Sequence, residues 1–295
     1  MDLISRPTLA QLSNSISLVQ VDALEIIRVQ HPKAAAAVAL HGGHLISFRP
    51  TGQEEVIWMS KQTPFDGKAA LRGGIPICWP WFGRIGEPSH GFARTAQWAL
   101  LEHQDDEHGV KLTLGLESDT QTLAIWPHAF SLRLCIDIRE QLTMTLTITN
   151  SGQQPFTFSG ALHSYLKIQD IYTTHLTGMG LHYLDKLQQG KKCQGGTRLT
   201  LTDAIDRIYT EPESAIQVDD GKRTLTVKNS GHHSAVLWNP WQQGAAALND
   251  MTDDGYRTMI CVESTIHADH LEQGVQLLPN QSWQLGTQIA AAISD

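Results

Sequence analysis

Two nine-residue stretches, FSLRLCIDI (130–138) and LTMTLTITN (142–150), alternate apolar and polar residues without a break. Phe130, Leu132, Leu134, Ile136 and Ile138 share one face of the first. Leu142, Met144, Leu146 and Ile148 share one face of the second, with threonines on the other. A period of two puts successive side chains on opposite sides of an extended chain, so each stretch reads as a β-strand with one buried face. VKLTLGLES (110–118) and RTLTVKN (223–229) behave likewise. Turn-forming triplets punctuate the runs: Asn150-Ser151-Gly152, Asp219-Asp220-Gly221 and Asp253-Asp254-Gly255. No helical pattern of about 10–15 residues separates successive strands, which disfavours a parallel sheet built from βαβ units. KAAAAVAL (33–40) contains helix-forming alanines, but it is short, follows Pro32 and runs into His41-Gly42-Gly43, so it reads as a strand. TQTLAIWPHAF (120–130) leaves room for one helical turn before Pro127. The expected class is all-β: one large antiparallel sandwich or barrel with few short helices. A single domain is expected over residues 1–295, with about the first 20 residues peripheral.

Charge and composition remove several functions. Lys and Arg number 22 against 30 Asp and Glu, a net charge of -8, which argues against nucleic acid as a partner. No apolar run approaches the roughly 18 residues of a membrane helix, so no membrane partner is expected. The opening MDLISRPTLAQLSNSISLVQ lacks a basic head, a continuous apolar middle and a small-residue cleavage site, so no signal peptide is expected. Cys78, Cys135, Cys193 and Cys261 are scattered without a CxxC pair. Free thiols and a cytoplasmic location follow as expectations. The dinucleotide, P-loop, nucleophile-elbow and HExxH motifs are all missing. That lowers the case for dehydrogenases, nucleotide hydrolases, serine esterases and zinc proteases.

LRGGIPICWPWFGRIGEPSHGFARTAQW (71–98) gathers Arg72, Arg84 and Arg94 in a Gly- and Pro-rich stretch with several tryptophans. Guanidinium groups over aromatic faces would suit an anionic, ring-shaped ligand. His90 and Arg94 in SHGFAR read either as ligand-facing groups or as a surface loop packed on Phe92. His163 in SGALHSYLKI reads as an acid or base at a strand end, or as a hydrogen-bonded core histidine. Glu263 ends the apolar run Met259 to Val262; buried, it would be an up-shifted base, and exposed, a plain strand terminus. Asp206, beside Arg207, reads as half of a local ion pair or as a ligand-orienting carboxylate. His41 and His44, His232 and His233, and His267 and His270 raise the question of a metal, but fourteen histidines supply chance pairs, and no metal is assigned. Trp58, Trp79, Trp81, Trp126 and Trp238 read mainly as core, with one or two near the arginines able to floor a sugar.

Taken in order, RGGIPICWPWFG, HGFAR, LHSYLKI, DRIY, WNPW and CVE resemble the hexose-6-phosphate mutarotases, the glucose-6-phosphate 1-epimerase branch of the aldose 1-epimerase (galactose mutarotase-like) superfamily. The resemblance spans roughly residues 20 to 290. It implies a large antiparallel β-supersandwich that interconverts the anomers of a hexose 6-phosphate, glucose 6-phosphate first, without metal or cofactor. By the same resemblance His163 protonates the ring oxygen and Glu263 takes the proton from the anomeric hydroxyl. His90 lines the sugar pocket, Asp206 holds the sugar, and Arg72 and Arg94 grip the phosphate. Where some members carry Gln before HGFAR this chain has Ser89, and Arg84 receives no role. The partner expected is a small sugar phosphate, and the protein is expected to be a monomer or weak dimer. Two rivals stand beside this assignment. One is a glycoside hydrolase using Asp206 and Glu263 as paired carboxylates. The other is a non-catalytic sugar-binding or sensing module on the same fold.

Overall fold

The structure, a computed structural model, describes residues 5–293. Residues 1–4, the head of the segment expected to be peripheral and to carry no leader, lie outside the described residues. The strands pair antiparallel in sheets of nine, eight, five and two strands. The two nine-residue stretches are adjacent strands in the middle of the nine-stranded sheet, Phe130–Ile138 and Leu142–Asn150, flanked by Gly109–Glu117 and Ser282–Ile293. Register aligns Leu114, Leu134, Leu146 and Leu285 in one row across four strands. All four are essentially buried, while the intervening threonines and charged residues are half-buried on the other side. Each such apolar side chain contributes about 1.5–3 kcal/mol, so a single row contributes as much as a typical domain's whole net stability.

The apolar face of this sheet packs on the eight-stranded sheet, whose middle is formed by Ser234–Asn239 and Met259–Ile266. Ser264 Oγ ties the two layers by donating to the Gly286 carbonyl at 2.9 Å. Every residue of Met259–Ile266 is buried, because one of its faces meets the core and the other lies under the loops and rings described below. The five-stranded sheet is also covered on both faces. Ile27, Val29, Ala36 and Val38 join the main core, and Val19, Ile26, Ala37 and Ala39 form a second cluster with Leu71. That double burial explains the alanine-rich segment: Ala34–Ala39 is a strand, and small side chains let it be covered on both faces. Thr8–Gln11 runs along the edge of this sheet, exposed throughout, whereas its neighbour Ile16–Val21 buries Ile16 and Val19.

The expected helical turn is Thr120–Ile125, capped by Asp119, which accepts from the Gln121 and Thr122 N–H groups. Thr122 Oγ1 accepts from the Asp119 N–H in return, and the helix stops before Pro127. The four cysteines are free. No helix among the described residues is long and apolar enough to cross a membrane.

Candidate active site

The site forms where one strand is interrupted opposite another that is not. Gly160–Leu162 and Tyr165–Lys167 both pair with Met259–Ile266, Leu162 opposite Ser264 and Tyr165 opposite Cys261. The register on the two sides of the break leaves His163 opposite Glu263. There the His163 Nε2 lies 3.3 Å from Glu263 Oε1. The same register continues outward: Trp238 is opposite Cys261 and Asp206 opposite Trp238, while Val236 is opposite Glu263 and Ile208 opposite Val236. Directly opposed residues share a face. One face of the eight-stranded sheet therefore carries Asp206, Ile208, Val236, Trp238, Tyr165, His163 and Glu263, and all seven line a cavity of about 690 Å³.

Glu263 is in mid-strand and wholly buried, not at an exposed strand end. Neither of its carboxyl oxygens has an aligned hydrogen-bond partner. Burial, and secondarily the charge of Asp206, hold its pKa well above 4.5. His163 is displaced the opposite way: burial, then His90 and the Arg72 and Arg94 cations, hold it well below 6.5. Both shifts have one main cause, since a dry site penalises charge on either group. The two shifts favour a single proton shared by the pair over two protons or none. Tyr165 stacks on the His163 ring at 4.8 Å and fixes its plane.

The loop 71–92 builds the cavity's opposite wall. Arg72 is followed by Gly73 and Gly74, both with positive φ. A Cβ at Gly74 would lie 2.3 Å from His44 Nε2 and 2.5 Å from the Leu45 carbonyl, so the turn requires glycine. His44 is fully buried and its imidazole N–H bonds the Gly73 carbonyl at 2.8 Å. His41 similarly bonds the Ala69 carbonyl at 2.9 Å. The HGGH pair is thus bracing for the arginine loop. Arg72 Nε bonds Asp250 Oδ1 and Nη1 bonds the Tyr165 hydroxyl, each at 3.0 Å. Burial weakens the cation, but Tyr165 and Asp250 more than offset this and raise its pKa above the usual arginine value.

His90 sits in the left-handed region at φ 63 and exchanges contacts with Gly83: its N–H donates to the Gly83 carbonyl at 2.7 Å, and its Nδ1 accepts from the Gly83 N–H at 3.3 Å. With Nδ1 accepting, the ring proton is on Nε2, a donor available to the cavity. Burial, then Arg94, Arg72 and Arg84, lower its pKa to about 4, so the ring is neutral at pH 7.

His163, Glu263, His90, Arg72 and Asp206 thus converge on one cavity, although they lie up to 191 positions apart, from residue 72 to residue 263. Arg94 does not line it. Its Nη2 donates to the Ser89 carbonyl at 2.8 Å, and its charge reaches His90 and His163 from behind the loop. Ser89 Oγ is also occupied within the loop, on the Gly83 carbonyl at 3.3 Å. The cations at the rim are instead Arg84 and Lys186, both exposed and without a salt bridge among the described residues. Lys186 offered no signal in the sequence, because it opens the short 3-10 turn Lys186–Gln188 after the strand His182–Asp185, which the sheet order alone brings to the cavity. No arginine of the loop stacks on a ring among the described residues; the cation–π contacts are Arg207 on Tyr183 and Arg257 on Tyr172. Arg207 reaches toward Asp185 at 3.9 Å, because successive strand residues face opposite ways, and Asp206 is left to the cavity. Asp206 is raised above its ordinary value by burial, partly offset by Lys186. Trp79 and Trp81, near the arginines, are core, and the tryptophan that lines the cavity is Trp238.

Two facing sheets and a histidine–carboxylate pair under an arginine loop define a class. The chain belongs to the aldose 1-epimerase family, whose pattern matches residues 25–290. It is an epimerase of the mutarotase type. A Salmonella typhimurium relative named "Putative glucose-6-phosphate 1-epimerase" is 40% identical over 282 residues, covering 93% of this chain and 94% of its own. An Escherichia coli relative of the same name is 38% identical and covers 88% of each chain. A solved Salmonella typhimurium structure, described as a "putative mutarotase", superposes with a TM-score of 0.92 at 38% identity over 98% of this chain and 97% of that one. The galactose 1-epimerase of Lactobacillus acidophilus shares the fold, with a TM-score of 0.76 at 14% identity over 96% of this chain and 100% of its own.

Proposed function

We propose that this protein interconverts the α and β anomers of a hexose 6-phosphate, with D-glucose 6-phosphate the leading substrate. The observation that carries the chemistry is the buried Glu263 carboxyl, without an aligned partner and 3.3 Å from His163 at the floor of a sugar-sized cavity. Glu263 takes the proton of the anomeric hydroxyl as His163 delivers one to the ring oxygen. The C1–O5 bond breaks, C1 becomes an aldehyde, and neither an alkoxide nor an oxocarbenium ion accumulates. Rotation about C1–C2 presents the other carbonyl face, and the two proton transfers run in reverse. Acid–base assistance of this kind contributes about 10²–10⁴-fold. His90 Nε2–H and the Asp206 carboxylate bond sugar hydroxyls, and the Trp238 ring supplies an apolar surface for the sugar's C–H face.

Arg72 holds the phosphate, assisted by Arg84 and Lys186 at the rim. Arg94 acts through the loop that carries His90. The phosphate has a second effect. The arginine charges add to burial in lowering the proton affinity of His163, and a dianion among them offsets that part, so the bound phosphate shifts the shared proton toward His163. Every proposed group comes from one chain, so a monomer or weak dimer suffices. A purely binding role is not favoured, because a buried carboxyl without a partner destabilises the fold and binding alone does not require it. A glycoside hydrolase would need two carboxylates flanking the bond, whereas Glu263 faces a histidine.

The test is exchange between the anomers of glucose 6-phosphate, followed by NMR magnetisation transfer with and without protein, beside free glucose and galactose. Fast exchange confined to the phosphate is the expected result. Equal acceleration of free hexose would remove the phosphate site, and no acceleration of any sugar would return the protein to a binding role.

A further inference from the structure

Cys261 is a buried thiol beside the proposed acid and base that epimerisation does not use. It lies two residues before Glu263 on the same strand face, between Tyr165 and Trp238, which oppose it on the two neighbouring strands with their rings 6.0 Å apart. The thiol is wholly buried. One ligand atom each from His163, Cys261 and Glu263 lies within 4.8 Å of the others. Both oxygens of the buried Glu263 carboxyl and the His163 Nδ1 lack aligned hydrogen-bond partners. We propose that Cys261, His163 and Glu263 form a site for a thiophilic divalent cation, zinc or cadmium, and that its occupation switches off the epimerase activity proposed above.

The donor set selects the ion. One sulfur, one imidazole nitrogen and one carboxylate oxygen suit zinc and its heavier congener, whereas magnesium and calcium take oxygen ligands in larger number. Charge selects it as well. A thiolate and a carboxylate balance a divalent cation beside a neutral imidazole, so the filled site carries no net charge in a region that penalises charge. Binding releases the thiol proton, and the carboxyl proton where Glu263 holds one, to solvent. Tetrahedral zinc separates its ligand atoms by roughly 3.4–3.6 Å, from bonds of about 2.0–2.3 Å. His163 Nε2 and Glu263 Oε1 already stand 3.3 Å apart, so the closure required is that of the Cys261 sulfur on this pair, from at most 4.8 Å, and His163 and Glu263 are not held by aligned hydrogen bonds at those atoms. His163 and Glu263 line the cavity, which gives an ion its way in. Once the ion is bound, the carboxylate can no longer accept the anomeric proton, nor the imidazole supply one to the ring oxygen.

The experiment titrates metal-free, full-length protein with Co²⁺, a spectroscopic substitute for zinc. A thiolate-to-cobalt charge-transfer band is expected, saturating at one equivalent and displaced by Zn²⁺. In Cys261→Ser the band disappears and Zn²⁺ affinity falls by about 100-fold, while metal-free anomer exchange stays within about 3-fold of the parent. Because Cys261→Ser alters a packed position, a second variant carrying Cys78→Ser, Cys135→Ser and Cys193→Ser must retain the band. Absence of the band in the parent, its persistence in Cys261→Ser, or its loss in the triple variant overturns the site. Undiminished exchange with the site filled overturns the switch. Cobalt binding that requires Cys261 in a protein inactive on every sugar would uphold the site and remove the epimerase reading.

Discussion

Replacing Arg72 with alanine tests the phosphate contact most directly. The guanidinium is held at two points, Asp250 and the Tyr165 hydroxyl, each at 3.0 Å, so little side-chain entropy remains to be lost when an anion binds. A unit charge about 4 Å away in a partly buried site interacts by roughly 4 kcal/mol. Desolvation of both partners takes back much of that, and Arg84 and Lys186 remain. The net loss expected for one charge-assisted hydrogen-bonding partner is about 1.5–3 kcal/mol, or about 10- to 150-fold in kcat/KM for hexose 6-phosphate. Free hexose places no charge at this position and should lose only what the altered support of Tyr165 and His163 costs both substrates alike, so the loss of about 10- to 150-fold should remain as a difference between them. The ratio of the two substrates is the readout, because general damage to the fold lowers both together. Arg94→Ala is the control: its guanidinium is engaged by the Ser89 carbonyl and does not line the cavity, so its loss should fall on both substrates alike. An unchanged substrate ratio in Arg72→Ala, or a phosphate-selective loss in Arg94→Ala alone, would refute the assignment and return the phosphate to Arg94.

Glu263→Gln should lower anomer exchange by about 10³-fold or more while leaving substrate affinity nearly intact; thermal unfolding should be unchanged or slightly higher, because a neutral amide replaces a carboxyl whose burial disfavours charge. For free hexose, which carries no phosphate ionisation at about 6, the pH profile of kcat/KM should be flat through 6.5, because the pair works with one proton: a second is added only below the depressed His163 pKa, and the last leaves only above the raised Glu263 pKa. An ionisation at 6.5 that limits the parent and vanishes in a His163 variant would contradict this. His44 is wholly buried and its pKa is depressed from 6.5 to about 4. For a depressed histidine the contribution to stability is complete above the unfolded-state value and is lost as pH falls toward the folded-state value, here about 3 kcal/mol between pH 6.5 and 4. Urea unfolding of His44→Gln should show a shallower loss over that interval than the parent, and equal slopes would exclude His44 as an acid-sensitive brace.

The strands were legible wherever one face is buried and the other is not, as in 130–138 and 142–150, because alternation in the sequence is the direct trace of that asymmetry. Ala34–Ala39 and Met259–Ile266 are covered on both faces and show no alternation, so their place in the fold came from flanking turns or from motif. The same limit explains Glu263. A strand end and a strand middle look alike in MICVEST, and only the neighbouring layers make the carboxyl fully buried.

Composition and periodicity by themselves determined an antiparallel all-β chain with free cysteines. The ordered motifs added His163, Glu263, His90, Asp206, Arg72 and Arg94 as candidates for one site. Tertiary structure alone decided which charges meet there. Lys186 and Arg84 reach the rim while Arg94 turns to a backbone carbonyl, and the Cys261 sulfur comes within 4.8 Å of a His163 ring nitrogen across a strand pair. Sequence patterns report which face of a strand is apolar. They carry no record of which strands become neighbours or of the register between them, and it is that register, across strands distant in the chain, that sets His163 opposite Glu263.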